Sequence, residues 1–225
     1  MATPANERGA RRAARAALVL AAAATVAVGL VALVHDAARP SIEAAQREQQ
    51  LARLTSVLGD IRYDNDPLTD TVFVQDEEIF GGAGPVPVHR VRRGGRTVAL
   101  LLEVPAFGGY SGTIALLVAV DPAGRLLGVR VTGHRETPGL GDFIEERRSD
   151  WIRGFDGRSL AEPPAAHWRV RKDGGDFDHY TGATITSRAV VEAVRNALLF
   201  VERHRAALYA EPAEPGAGSP ARMPK

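Results

Sequence analysis

Between Ala16 and Val34 the chain carries no charge, and nearly every position is Ala, Val or Leu. A helix of roughly 19 residues, rising about 1.5 Å per residue, is about 28 Å long, close to the thickness of a bilayer's hydrocarbon core. Arg8, Arg11, Arg12 and Arg15 precede the run, whereas Asp36, Arg39, Glu43, Arg47 and Glu48 follow it with mixed sign. The positive-inside rule then leaves residues 1–15 in the cytoplasm as a basic N-terminus, spans the membrane with 16–34 and exports the rest. A cleaved signal peptide is the competing reading. Its apolar region is shorter, about 7–15 residues, and His35-Asp36-Ala37-Ala38-Arg39-Pro40 makes a poor cleavage site. A helix buried in a soluble core fits badly with four arginines at its mouth.

The 225 residues allow one domain of ordinary size beside this segment. There is no cysteine, which removes disulfides, iron–sulfur clusters, thiolate zinc sites and thiol nucleophiles together. Redox chemistry, if present, must use an organic cofactor. The formal net charge is +1 and arginines beyond the N-terminus are interleaved with acids, so nothing favours nucleic acid as a partner. No nucleophile–base–acid set suggests a hydrolase.

After Pro40, Ser41 is a plausible N-cap and the apolar residues Leu51, Leu54 and Leu58 recur at helical spacing, predicting a helix from Ile42 to Leu58 that stops at Gly59-Asp60. Short strands are expected at Thr71–Val74 and Val86–Val91, separated by a Gly81–Pro85 loop that lacks the frame of a nucleotide-binding fingerprint. Arg96–Val104 is apolar on both faces and reads as a strand buried between layers. Thr113–Val120 and Leu126–Thr132 are joined by a Pro/Gly turn, giving an antiparallel meander. An irregular Gly133–Asp142 segment comes next, then a helix past Ile144 and Trp151, a loop at Ala161–His167 and a short strand at Trp168–Lys172. A final amphipathic helix covers Arg188–Tyr209, and residues 210–225, rich in Pro, Ala, Gly and Ser, are expected to be disordered. The expected class is α+β, a single N-terminal transmembrane helix followed by an antiparallel sheet with packed helices.

Asp173 to Ser187 reads Asp-Gly-Gly-Asp-Phe-Asp-His-Tyr-Thr-Gly-Ala-Thr-Ile-Thr-Ser. Thr181, Thr184 and Thr186 surround a Gly182-Ala183 pair small enough for a bulky group to lie against the backbone. The simplest account is a capped helix, a threonine oxygen accepting from free backbone N–H groups. The same N–H groups and the helix dipole would also favour a phosphate. His134 and Glu136, two apart, are a weak metal pair without a third ligand; a hydrogen-bonded structural pair is the plainer reading. No metal site is expected.

Asp178-His-Tyr-Thr-Gly-Ala-Thr184 resembles the flavinylation motif Asp-x-x-(Ser/Thr)-Gly-Ala-(Thr/Ser) of the FMN-binding domain family. Members of that family are found in Rnf electron-transport complexes, as their G component, and in sodium-pumping NADH:quinone oxidoreductases, as their C component. Two further patches resemble it in the same order: Gly109-Tyr-Ser-Gly112, and His134-x-Glu136-Thr137-Pro-Gly139-Leu140-Gly141. The run Asp-Gly-Gly-Asp-Phe-Asp before the motif is closer to the Rnf branch; His179-Tyr180 stands where that branch is expected to have Gln-Phe.

The resemblance implies an exported FMN-binding domain over residues 41–209, with FMN held covalently to Thr184 through a phosphoester. Asp178, Thr181, Gly182, Ala183 and Thr186 would complete that site. His134, Glu136, Thr137, Gly139, Leu140 and Gly141 would contribute to the wall around the flavin ring. Attachment would need a periplasmic flavin transferase that uses FAD, since the sequence offers no base to activate the threonine. It also implies an inner-membrane electron carrier touching lipid and the other Rnf subunits, in a complex that moves electrons between ferredoxin and NAD and translocates ions. The chain itself would not be the site where NAD reacts. The alternatives are a flavoprotein like the C component of the sodium pump, or an anchored exported binding or scaffolding module with no cofactor.

Overall fold

The computed structural model describes residues 4–82 and 84–210, and these form two units that divide between Gln50 and Leu51. The expected disordered tail lies outside the described residues apart from Ala210.

Helix α1, Pro4–Thr55, contains the apolar run. Its candidate span, Leu20–Thr55, has an 18-residue window of mean hydropathy 1.8 that buries nothing. The predicted break at Pro40 does not occur, and the helix runs through it. Proline has no N–H, so the carbonyl of Asp36 loses its intrahelical donor.

In the second unit, five strands form an antiparallel meander in the order β1-β2-β3-β4-β5: β1 Thr71–Val74, β2 Val86–Arg93, β3 Arg96–Gly109, β4 Gly112–Val120 and β5 Leu126–Gly133. The central strand β3 shows why the sequence is apolar on both faces. Ala99 and Leu101 pack with Leu54, Val57 and Leu58 on one side of the sheet, while Leu100, Leu102 and Val104 pack with α3, Thr184–Leu208, on the other. The alternation of a strand puts neighbouring residues on opposite faces, so a sheet covered twice needs apolar residues throughout. β3 and β4 extend further than the sequence predicts: Gly109 pairs with Gly112 and leaves only Tyr110 and Ser111 at the tip. Gly108 and Gly112 adopt positive φ there, which the irregular register requires.

Three local expectations are corrected. The helix from Asp142 through Trp151 is two 3₁₀ turns, Gly141–Ile144 and Asp150–Phe155. Ser149 separates them: its hydroxyl donates to the Phe143 carbonyl (2.7 Å) and accepts from the Trp151 N–H (3.2 Å), offering the backbone an alternative to a continuous helix. The strand at Trp168–Lys172 is a single parallel bridge, Val170 to Phe177, because the chain doubles back at Gly174 and Gly175 so closely over Arg169 that Gly175 has no room for a Cβ. Finally, α3 begins at Thr184, not Arg188, and so takes in the end of the motif.

Between β1 and β2 lies a one-turn helix α2, Glu77–Phe80, capped by Asp76 and packed through Phe80 onto Phe200 of α3 with ring centroids 5.1 Å apart. Tyr209 ends α3 with its hydroxyl donating to the carbonyls of Val120 (3.0 Å) and Asp121 (2.7 Å); burial pushes its pKa above the ordinary phenol value.

Candidate functional site

Three stretches far apart in sequence converge beside the start of α3. The first is the β3–β4 tip. The second leaves β5: Thr137, Pro138, Gly139 and Leu140 form a tight turn, the Leu140 N–H donating to the Thr137 carbonyl (3.1 Å), with Gly139 at φ 77°. Proline then glycine at the two central positions is what a type II turn requires. The third is a similar turn at Tyr180–Ala183, closed by the Ala183 N–H donating to the Tyr180 carbonyl (2.9 Å), with Gly182 at φ 92°. The two turns nest. A Cβ on Gly182 would lie 3.1 Å from Leu140 Cδ1, so Leu140 already fills that space.

Glu136 holds these stretches together. It is 5% exposed, and both carboxylate oxygens are filled: Oε1 accepts from the Ser111 N–H (3.0 Å) and Oε2 from the Thr186 hydroxyl (2.6 Å). Gly109 and Gly141 are glycine where they flank it. A Cβ on Gly109 would stand 3.0 Å from Oε1, and one on Gly141 would stand 2.8 Å from Oε2 and from Glu136 Cβ. Buried carboxylates need filled acceptors, and this one has them.

His134 sets the approach to Glu136. Its Nδ1 accepts from the Glu136 backbone N–H (3.0 Å), so the ring proton belongs on Nε2, which donates to Glu145 Oε1 (2.8 Å). Arg147, and secondarily His134, hold the Glu145 pKa down at about 2 through their hydrogen bonds. The pair is thus structural, and no cluster of three or more metal-ligating side chains occurs among the described residues.

The motif threonines separate sharply. Thr186 is fully buried on Glu136. Thr181 and Gly182 are exposed. Thr184, half-buried, is the first residue of α3, and among the described residues its hydroxyl has no hydrogen-bond partner. The N-cap position belongs to buried Ala183, which has no side-chain cap, so the simple capping account of these threonines does not hold. Asp178 is exposed and paired with Arg171 (3.1 Å), while Thr137, Gly139 and Leu140 lie at the surface and Gly141 is buried.

Several contributors carried no motif. Trp151 Nε1–H donates to the Asp178 carbonyl (2.8 Å), and Phe143 stacks on Tyr180 with centroids 4.9 Å apart and planes 14° apart, so together they fix the loop ahead of Thr181. Tyr180 and Ile185 remain 47% exposed, and Leu140 40%. Only the presence of aromatic residues beside a Gly/Pro-rich segment could have drawn attention to Phe143 and Trp151. Ser111 contributes a backbone N–H, which side-chain identity does not reveal. One turn up α3, Arg188 forms a bidentate pair with Asp173 (2.5 and 2.6 Å), holding the Asp173 pKa below the usual range.

Comparison with known proteins bears on what this geometry serves. The FMN-binding domain family matches residues 109–199, which span all three converging stretches, and the RnfG N-terminal region family matches residues 1–57. The G component of the ion-translocating oxidoreductase complex of Pseudomonas aeruginosa is 48% identical over 196 residues, covering 87% of this chain and 92% of that one. The proteins of the same name from Cereibacter sphaeroides (45% over 193 residues, 86% of each chain) and Shewanella oneidensis (38% over 195 residues, 87% and 92%) are also similar. The apolar helix fits a membrane anchor in such a complex. This chain therefore belongs to the RnfG family, the G components of ion-translocating oxidoreductase complexes, and its globular part is an FMN-binding domain.

Proposed function

We propose that this chain is a membrane-anchored electron carrier that holds FMN covalently, through a phosphoester to Thr184, in an Rnf-type complex linking ferredoxin and NAD to ion translocation. The observation that carries this reading is the state of Thr184. Among the described residues its hydroxyl, at the first residue of α3, has no hydrogen-bond partner, while that of Thr186 is bonded to Glu136. The residues present fit the cofactor. The α3 N-terminus, with its free N–H groups and an Ala183 that supplies no side-chain oxygen, suits a phosphodiester that keeps one negative charge. Leu140, which lies against Gly182, and Tyr180 and Ile185 within the motif stretch keep exposed apolar surface for a flat aromatic ring. When bound, FMN supplies one- and two-electron transfer, and the protein's part is position and electrostatics.

Thr181, Gly182, Ala183 and Asp178 act as the recognition loop of a flavin transferase in this reading. Asp178, Thr181 and Gly182 are exposed, which suits access by that enzyme. His134, Glu136 and Gly141 build the support beneath, and Thr137, Gly139 and Leu140 form the surface turn beside the ring. The helix keeps the flavin near the other proteins of the complex and so raises their effective concentration. The positive-inside rule puts the domain in the periplasm of a bacterial inner membrane, where a covalent tether prevents loss of the cofactor.

Production of the full chain with and without a flavin transferase, followed by flavin fluorescence of the denatured band, tests the attachment. Wild type should fluoresce only with the transferase, and Thr184→Ala should not. A dark wild-type band, with the transferase active on another substrate, would sink the carrier reading and favour a cofactor-free module.

A further inference from the structure

The motif ends with two threonines on one helical turn, and the structure treats them oppositely. Successive residues of an α-helix are about 100° apart, so Thr184 and Thr186 point in directions roughly 200° apart. Thr186 faces inward and bonds to Glu136; Thr184 is left facing the other way with a free hydroxyl. No side chain caps the first turn at Ala183. That turn is held from beneath by two buried side chains: Ser187, whose hydroxyl donates to the Ala183 carbonyl (3.2 Å) and accepts from the Tyr180 N–H (3.4 Å) within the motif itself, and Thr186, whose bond to the Glu136 carboxylate ties the turn to the other two stretches. That carboxylate is itself fixed at its other oxygen by the hairpin tip, 25 residues away in sequence, and through its own backbone N–H by His134.

We infer that Glu136 is the positioning residue for flavin attachment: it clamps the hairpin tip to the first turn of α3 and so aims Thr184 Oγ1 at the incoming phosphorus. The inference rests on the attachment reading above and assigns Glu136 a place under the site, not in the wall facing the flavin. In the transfer, the Thr184 oxygen forms a bond to the FMN phosphorus of FAD. The P–O–P bond breaks, AMP leaves, and the hydroxyl proton passes to a base of the transferase. Glu136 takes no part in these bonds, since both its oxygens are occupied and buried. Gly141 belongs to the same device, because a Cβ there would stand 2.8 Å from Oε2 and push the carboxylate away from Thr186; at Gly109 a Cβ would first meet the Gly112 carbonyl at 2.4 Å and then Oε1 at 3.0 Å, disturbing the hairpin tip that carries Ser111.

A reacting group displaced by about 1 Å can cost on the order of 100-fold in rate. The test is the initial rate of covalent FMN incorporation into the detergent-solubilised full chain by a purified flavin transferase with FAD, well below the lowest melting temperature of the set. Glu136→Ala should fall about 100-fold. Glu136→Gln keeps an acceptor for Ser111 and gains an amide that can donate to Thr186, so it should stay within about tenfold of wild type. Val118→Ala, a fully buried sheet position away from the clamp, serves as the control for lost stability and should react at the wild-type rate. Three results would overturn the inference: Glu136→Ala reacting at or above the wild-type rate, Glu136→Gln as slow as Glu136→Ala, or Val118→Ala slowed as much as Glu136→Ala. A wild-type chain that takes up no flavin at all would instead defeat the attachment reading itself.

Discussion

Thr184→Ala and Thr186→Val, made separately, ask whether two threonines two residues apart do different work. Valine at 186 preserves the shape of the side chain but removes the hydroxyl that fills Glu136 Oε2 at 2.6 Å in a fully buried setting. A hydrogen bond to a charged group contributes about 1.5–3 kcal/mol. The compact unit from Leu51 onward falls in the size class where 1 kcal/mol moves Tm by about 2–4 °C, so Thr186→Val should lower Tm by about 3–12 °C. Thr184 loses no hydrogen bond on truncation, and alanine is the better helix former, so its stability change should stay within about 0.5 kcal/mol. The assay is thermal unfolding of the flavin-free full chain in detergent, followed by near-ultraviolet circular dichroism of Trp151 and Trp168. Equal destabilisation by both substitutions would refute the division of labour. So would a neutral Thr186→Val, because a buried carboxylate cannot lose a donor without cost if the geometry is right.

Four further outcomes are expected. Gly141→Ala puts a Cβ 2.8 Å from Glu136 and should destabilise by about 1–3 kcal/mol, read as a fall in the urea midpoint; an unchanged midpoint would mean that the turn has slack. Glu145 has a folded pKa of about 2 against the usual 4.5, so its stabilisation is complete above pH 4.5 and is lost as pH falls toward 2; Glu145→Gln should flatten that part of a Tm–pH curve. Trp151→Phe removes the donor to the Asp178 carbonyl (2.8 Å) and should speed hydrogen exchange at residues 178–183 while leaving β3 unchanged. For topology, a reporter active only outside the cytoplasm should work when fused after Tyr209, and a reporter active only inside should not; the reverse pattern would overturn the assigned orientation.

Much of the architecture was legible because it depends on local pattern. The uncharged run from Ala16 to Val34 needs only its length to suggest a bilayer. The strands β1 to β5 announce themselves through β-branched, apolar runs separated by Gly and Pro, and short connections make neighbours antiparallel. Where the structure differs from local pattern, a local competitor decides. Ser149 divides an expected helix by bonding to the backbone on both sides, and the fold of the chain over Arg169 at Gly175 leaves Trp168–Lys172 no partner strand. At Pro40 the difference runs the other way, since a missing N–H weakens a helix without having to end it.

The motif named candidate residues but not where the fold places each one. Sequence alone determined that Thr181, Thr184 and Thr186 cluster around Gly182-Ala183, next to an amphipathic helix and downstream of two Gly-rich patches. Only the tertiary structure decided that α3 starts at Thr184, which fixes the helical phase and sends Thr186 inward and Thr184 outward. Likewise, the bond from Thr186 to Glu136 joins residues 50 apart, and that from Ser111 to Glu136 joins residues 25 apart. Propensity and periodicity act over a turn or a strand, whereas the filling of a buried carboxylate's two oxygens depends on which distant segments the sheet and helix bring within 3 Å.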